Sequence, residues 1–548
     1  MSKEMLAKPA ACLLLLLFVL YGTVGDTVAA PYDDAPALTP SAATAVESGA
    51  QLERERRWLD AVEHYEEALE EAPDNKQLEY GLRRSKIHFN IERRYEDRSF
   101  HSQLLSQSKY DALSLLDDVM SQVRSNYVES IGPTSLVAHG TESLYLALAN
   151  DKFVEQNLSG VPSDRIRQMR KILRERHWNA QVSDRFGARQ RVSQICDTAQ
   201  SLLGLQPGPV VMEYVFGCCN ALDDYSGYLT PDRLEDLYGN IEGEFVGLGI
   251  EMKAEAGKGM FLVNILPESP AAEGGMQRGE YIVRIEDADC REMTTDEAAR
   301  LLRGPAGSRI RLTLEDANDP STREGWFVRR AVQVKSIPVA TMLDQGSGVG
   351  YIKMGGFQKT TAQELDAALA KLRREGMRAL IWDLRGNPGG LLTAAVEVLE
   401  RFISDGVLVS TKGRTLDQNY TYSAHRGGTL SIPLVLLVDE NSASASEIVA
   451  GAIRDHRRGT IVGRKTFGKW SVQTIFSIRG ATGLRLTTAK FYSPRGDTLG
   501  KIGVKPDITV PGIDDEMAYF RGFADSDPAS DADLDRGLQV LRTQLSRR

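Results

Sequence analysis

From Val349 onward, short apolar runs alternate with helix-length segments, a rhythm that restricts this part of the chain to an α/β fold. Gly350–Met354, Ala379–Leu384, Leu434–Val438 and Gly459–Val462 read as strands. Thr361–Glu375, with Leu365, Leu369 and Leu372 at helical spacing, reads as a helix. So do the stretch between Gly389-Gly390 and Phe402 and the segment Ser444–Asp455. The rhythm differs upstream. After Asn240, Gly249–Met252, Met260–Leu266, Tyr281–Ile285 and Arg309–Leu314 alternate with glycine turns around a helix at Thr295–Leu302. That is the pattern of a strand-rich domain over Phe245–Val334. Leu104–Tyr238 is mostly helical, as at Ala112–Tyr127, Ser163–Glu175 and Arg191–Leu203.

At 548 residues the chain has room for three or four domains. Within Val46–Ala72, Trp58, Ala61, Tyr65 and Ala68 fall at helical spacing before a stop at Pro73-Asp74-Asn75. The order Ala61, Tyr65, Ala68, Pro73 resembles half of a tetratricopeptide repeat, with Gln77–Tyr95 as its partner; an ordinary helical hairpin fits equally well. Residues 30–45, rich in Ala, Pro, Asp and Ser, read as a linker. Met1–Ala29 reads as a signal peptide: Lys3 and Lys8 precede an apolar run from Ala10 to Tyr21, and Thr27 and Ala29 suit a cleavage site. The run is short for a membrane span, which takes roughly 20 apolar residues. Export to the periplasm or cell envelope, or secretion, is the expectation; a retained single anchor is the alternative.

Asp plus Glu number 75 against 66 Lys plus Arg, and a formal net charge of -9 offers no basic excess for nucleic acid. Five cysteines in this length exclude a disulfide-dense fold. Cys218 and Cys219 are adjacent and unsuited to bridging each other; whether one pairs with Cys196 stays open. There is no CxxC pair and no HExxH frame, so neither a metal site nor a cofactor is implied.

The segment with most chemical content is Asn441-Ser-Ala-Ser-Ala-Ser-Glu447, followed by Lys465-Thr-Phe-Gly-Lys469 and Gln473. A serine at the start of a helix, just past an apolar strand, sits among backbone N–H groups that stabilise negative charge. It needs a base, and a lysine serves once burial makes it neutral. Gly463–Lys469 also fits GxxxxGK, but Trp470 stands where a phosphate loop needs Ser or Thr.

With these motifs the chain resembles the carboxyl-terminal processing (tail-specific) proteases over roughly Tyr214–Pro511. The motifs that carry the likeness are Leu222-Asp-Asp-Tyr-Ser226, Asp383-Leu-Arg-Gly-Asn-Pro-Gly-Gly390, Ser442–Glu447, Thr466-Phe-Gly-Lys469, Val472-Gln473 and Gly503-Val-Lys-Pro-Asp507. The resemblance implies a multidomain α+β chain: an α/β serine-protease core of the ClpP/crotonase-like type, an inserted PDZ-like β-rich domain and an α-helical N-terminal region. It makes Ser444 the nucleophile, Lys469 the general base and Gln473 the residue that orients the lysine. It places the oxyanion hole at the amides of Ala445 and of Gly389 or Gly390. Glu447, Asp383 and Arg385 are supporting residues. Ser442 and Ser446 are competing nucleophiles with a capping or packing role as their alternative. Trp470 departs from the glycine usual after the lysine, and is expected to point into a wider cleft or toward the helical N-terminal region.

Phe245, Val246, Gly247, Leu248, Gly249 and Ile250 resemble a PDZ carboxylate-binding loop, whose amides take a terminal carboxylate while the next strand pairs with the peptide. Val246 and Glu280 stand where Gly and Asp are common. The implied layout is a leader at 1–29, a linker at 30–45, a helical hairpin at 46–96, a helical region at 104–240, a PDZ-like domain at 241–335, a protease core at 336–513 and an acidic extension at 514–548. The implied activity is that of a serine endopeptidase acting through an acyl-enzyme on proteins with exposed C-termini or unstructured segments. An adaptor or oligomer contact would lie in the N-terminal helices. The rival is a catalytically inactive peptide-binding scaffold.

Overall fold

The structure, a computed structural model, describes residues 40–547 apart from 317–318, 426, 499 and 512–530. The expected leader at 1–29 and residues 30–39 of the expected linker lie outside the described residues. From residue 40 the expected linker is already helix, as part of α1 (Pro40–Arg54). The Val46–Ala72 segment is two helices, α1 and α2 (Trp58–Glu71), followed by α3 (Lys76–Tyr95). Arg56 adopts a left-handed φ of 58° between them, in a stretch with no Gly or Pro to announce the break. Trp58 opens α2 by stacking on His88 at 4.3 Å, and Tyr65 wedges between Gly49 and Gly81, where added Cβ atoms would lie 2.3 and 2.4 Å from its ring. Three helices therefore stand where a hairpin was expected.

The helical region continues with α4 (Lys109–Asn126), α5 (Pro133–Ala147), α6 (Asp151–Asn157), α7 (Ser163–Ile172), α8 (Arg185–Leu203) and α9 (Pro207–Asn220). Their shared core holds Leu115, Leu116, Val119, Leu144, Val192, Val211 and Val215. Cys196, Cys218, Cys219 and Cys290 are free and buried. β1 (Gly227–Leu229) and α10 (Pro231–Glu242) lead to a strand-rich unit. There β2 (Glu244–Gly247) pairs with a later strand, and β3 (Ile250–Glu255), β4 (Gly259–Ile265), β5 (Glu280–Ile285), β6 (Ala288–Asp289), β7 (Arg309–Asp316) and β8 (Asp319–Val328) form an antiparallel sheet. α11 (Pro270–Glu273) and α12 (Thr295–Leu302) complete it, and β9 (Arg330–Gln333) is the partner of β2.

The α/β core is built on the sheet β10-β11-β12-β15-β16-β19: Val339–Asp344, Val349–Lys353, Ala379–Asp383, Leu434–Val438, Thr460–Gly463 and Ile508–Thr509. All neighbours in it are parallel except β10 and β11. α13 (Thr361–Arg374), α14 (Leu392–Leu399) and α15 (Ala445–Asp455) bury one face through Leu369, Val398 and Val449. α16 (Ala532–Ser546) buries the other with Leu534, Leu538 and Leu541 against Ile381, Val435 and Leu437. Of the acidic extension expected at 514–548, residues 514–530 lie outside the described residues, while the helix that its spacing predicts from Leu534 to about Leu545 is present and forms a layer of the core through three leucines.

A second sheet was not apparent from the alternating rhythm. β13 (Gly406–Gly413), β14 (Tyr420–Ala424), β17 (Ser471–Ile478) and β18 (Thr482–Tyr492) are antiparallel, and β1 joins them by pairing with β18. Leu484 and Leu486 of β18 sit in the core of the helical region, whereas Phe491 sits in the α/β core. This sheet fastens the two units together.

Candidate active site

Ser444 lies between β15 and α15 with φ 57° and ψ -112°. A non-glycine residue held there carries strain of about 1–3 kcal/mol. Its surroundings impose the geometry. The Ser444 N–H donates to Glu447 Oε2 at 2.9 Å. Gly389 presses against it so closely that a Cβ there would fall 2.8 Å from Ser444 Cβ. The competing serines are occupied. Ser442 Oγ donates to Leu384 O at 2.8 Å and Ser446 Oγ to Asn387 O at 2.9 Å, both fully buried. Ser444 alone of the three is partly exposed.

Glu447 is fully buried and accepts four hydrogen bonds. Oε1 takes Thr466 Oγ1 at 2.6 Å and the Gly468 N–H at 2.7 Å; Oε2 takes the N–H groups of Ser444 and Lys469 at 2.9 and 2.7 Å. Burial outweighs the lowering effect of the four donors and raises its carboxyl to about 7. The ionised form is the one that satisfies four donors at once. Thr466 Oγ1 accepts in turn from the Val504 N–H at 2.6 Å, so the Gly503–Asp507 motif braces the lysine loop.

Lys469 stands at the head of β17. Burial, then the like charge of Arg485, lowers its ammonium to about 8, against smaller opposing effects of Asp223 and Glu447. Its Nζ lies 4.5 Å from the centre of the Tyr225 ring. Tyr225 O in turn accepts from Arg485 Nε at 2.8 Å, and Asp223 Oδ1 holds the turn through the Tyr225 and Ser226 N–H groups. Residue type and order pointed to Leu222–Ser226 as a motif but not to Tyr225 as the floor beneath the lysine. Arg485 carried no local signal; pairing of β1 with β18 sets it opposite Gly227.

Gln473 donates to Ser471 Oγ at 2.9 Å and Thr487 Oγ1 at 3.2 Å. Among the described residues, no hydrogen bond joins Lys469 Nζ to Ser444 Oγ or to Gln473. The lysine rests on the tyrosine ring, and the glutamine is satisfied across the β17–β18 hairpin. Ser444 and Lys469 are brought together through Glu447.

The Gly386–Gly390 loop runs beside Ser444. Gly389 N–H donates to Asn387 Oδ1 at 2.8 Å, while Asn387 O accepts from the Ala443 N–H at 3.0 Å. The N–H groups of Gly390 and Ala445 have no acceptor among the described residues. A Cβ on Gly390, φ 144°, would lie 2.2 Å from Phe357 O, so only glycine fits. Asp383 is fully buried and accepts from Tyr351, Lys353 and Arg385.

Trp470 does not enter the cleft or reach the helical region. It is buried in the α/β core, stacked on Phe491 at 4.6 Å, with its ring near Gly451 of α15. Alternation along the strand start sends residue 470 inward where 469 faces the site.

In the strand-rich unit, Phe245–Gly247 lie in β2 and Leu248-Gly249 link it to β3, an edge strand with α12 alongside. Gly249, φ 77°, packs on Ser269, 2.2 Å from where a Cβ would be. Val246 is partly exposed, and Glu280 pairs with Arg323 at 2.9 Å. Among the described residues, no group of acidic, His or Cys side chains has the makings of a metal site, and no helix is long and apolar enough to cross a membrane.

Peptidase family S41 matches residues 348–510, which contain Ser444, Lys469 and Gln473, and a PDZ domain matches residues 262–316, downstream of Phe245–Ile250. The chain is similar to a carboxy-terminal-processing protease of Bartonella bacilliformis, 33% identical over 361 residues that span 60% of this chain and 82% of the relative. A carboxyl-terminal-processing protease of Synechocystis sp. is 33% identical over 292 residues, 53% of this chain and 68% of its own. Among solved structures, a photosystem II D1 C-terminal processing protease is 23% identical and covers 75% of this chain and 96% of its own, at a TM-score of 0.40.

Proposed function

The chain belongs to the carboxyl-terminal-processing proteases of peptidase family S41, and from that premise we infer how its residues divide the work of a serine endopeptidase acting on C-terminal or unstructured segments. Ser444 is the nucleophile and Lys469 the base that takes its proton and passes it to the amine that leaves as the peptide bond breaks; neutral again, the lysine activates water to release the acyl-enzyme. The Gly390 and Ala445 amides receive the oxyanion. Gln473 orients the lysine once its amine leaves Tyr225 for the serine. Asp383 and Arg385 hold the oxyanion loop.

The observation that carries this reading is Glu447, whose single carboxylate fixes the backbones of both proposed reacting residues. Steady-state cleavage of an unfolded protein tests it. Ser444→Ala and Lys469→Ala should each nearly abolish turnover, and so should Lys469→Arg, whose guanidinium cannot release a proton in this range. A Lys469→Arg enzyme with near wild-type kcat/KM would sink the dyad. The scaffold reading predicts no turnover by the folded wild type.

We place the PDZ-like domain at 241–335 and the protease core, of the ClpP/crotonase-like type, at 336–513, supported by the edge strand β3 beside α12 and by the helix-covered mixed sheet. Export with loss of residues 1–29 is our reading of the N-terminus; a native protein that starts at Met1 or Ser2 by mass spectrometry would overturn it. The N-terminal helical region is the proposed contact for an adaptor or second copy.

A further inference from the structure

The α16 helix begins with two acids that reach both loops of the candidate site. Asp531, its N-cap, accepts from both terminal nitrogens of Arg385, at 2.8 and 2.9 Å. Asp533, itself buried, accepts from Arg385 at 3.1 Å and from Arg464 at 2.9 Å.

Each arginine belongs to a different loop. Arg385 opens Arg385–Gly390, which runs past Asn387 to the glycines beside Ser444. Arg464 follows β16 and opens the loop to Lys469; its N–H donates to Val438 O at 3.0 Å and its Nε to Glu440 at 2.8 Å. Arg385 also grips Asp383 at 2.7 Å, beside Lys353. Without the α16 acids, Arg385 would share Asp383 with Lys353, and Arg464 would keep the exposed Glu440. The α16 acids give both arginines a shared buried carboxylate, Asp533, and a buried charge that loses such a partner is drawn toward water. An arginine that turns outward takes its loop with it.

We propose that Asp531 and Asp533 are positioning residues for peptide hydrolysis: from the far end of the chain they clamp the oxyanion loop, through Arg385, to the lysine loop, through Arg464. The proposal rests on the assignment of Ser444 and Lys469. The clamp acts on chemistry more than on binding, because neither acid lies in the PDZ-matched segment, residues 262–316. Mere attachment of α16 is a different matter, supplied by Leu534, Leu538 and Leu541. Charge and apolar attachment are therefore separable by mutation.

The test uses the full-length enzyme and an unfolded protein substrate. Asp531→Asn/Asp533→Asn should lower kcat at least tenfold with KM within twofold. Asp533→Glu should recover much of the activity lost by Asp533→Asn. Leu541→Ala removes buried side-chain volume from the same helix and keeps the acids. It should lower Tm at least as far as the double variant, yet keep kcat within threefold at a temperature well below its Tm. Hydrogen exchange, run in a Ser444→Ala background, should quicken several-fold at 385–391 and 464–470 in the double variant and not in Leu541→Ala. A double variant with wild-type kcat and unchanged exchange in both loops overturns the proposal, as does an equal loss of kcat in Leu541→Ala. Turnover by Ser444→Ala would instead overturn the nucleophile assignment, leaving the exchange measurement to decide the clamp.

Discussion

The backbone amides of Ser444 and Lys469 converge on one oxygen atom, Glu447 Oε2, at 2.9 and 2.7 Å. Residues far apart in sequence thereby share a fixed reference. Glutamine at this position has one acceptor oxygen and an NH2 that faces N–H donors. Glu447→Gln should lower kcat at least 100-fold. It should also reduce the unfolding free energy by about 1–3 kcal/mol, the cost of stranded buried donors. Steady-state kinetics and denaturant unfolding read the two effects; wild-type kcat would make the carboxylate a bystander.

Activity should rise with pH as Lys469, lowered to about 8, loses its proton. Arg485 disfavours the charged amine, so Arg485→Gln should raise the lysine pKa and move the rising limb of kcat/KM to higher pH. Asp223 and Glu447, which favour the charged form, remain in the variant and act in the same direction. An unmoved midpoint would remove Arg485 from the lysine's surroundings.

The same lysine weakens the fold. Its folded pKa lies below the unfolded 10.5, so the unfolded chain binds more protons between about 8 and 10.5, and stability rises with pH across that window. Below it the penalty is complete. Lys469→Met should therefore stabilise the protein by about 1–3 kcal/mol at pH 7, and by progressively less as pH approaches 10.5. Urea unfolding at pH 7 and pH 10 checks the sign; an equal gain at both values contradicts it.

Trp470→Gly restores the residue usual in the family but empties a space in this core. Losing a buried indole that stacks on Phe491 should cost about 3–5 kcal/mol, with Trp470→Phe much milder. Thermal unfolding distinguishes this from a cleft-lining tryptophan, whose removal would leave Tm nearly unchanged.

If the turn at Gly247–Gly249 holds a terminal carboxylate, a peptide with an apolar last residue should bind more weakly once amidated. Calorimetry giving equal affinities for acid and amide would remove the assignment.

The parallel strands were legible because buried strands read as unbroken apolar runs, as at Leu434–Val438, and the serine helix because Glu447 and the small residues mark its first turn. β17 and β18 were not, because their buried residues serve two cores at once: Leu484 faces the helical region and Phe491 the α/β core. For the site, the reacting types and their order stood in the sequence. Tyr225 and Arg485 acquire their places only through β1–β18 pairing, a contact with no local signature. Trp470 was misplaced for a related reason: its neighbour Lys469 drew attention to the cleft, while β17 geometry turned it away.

The pairing of β1 with β18, Tyr228 opposite Leu484, also fixes how much of the chain must be made before the candidate site can assemble. A nascent chain that has emerged only as far as Lys469 already contains the serine and the lysine. It lacks the strand that lays Tyr225 under the amine and the arginine that discourages its charge. Until β18 is made and pairs with β1, Arg485 and Tyr225 are not set around the amine. The lysine's surroundings are therefore complete only when two strands far apart in the chain have met.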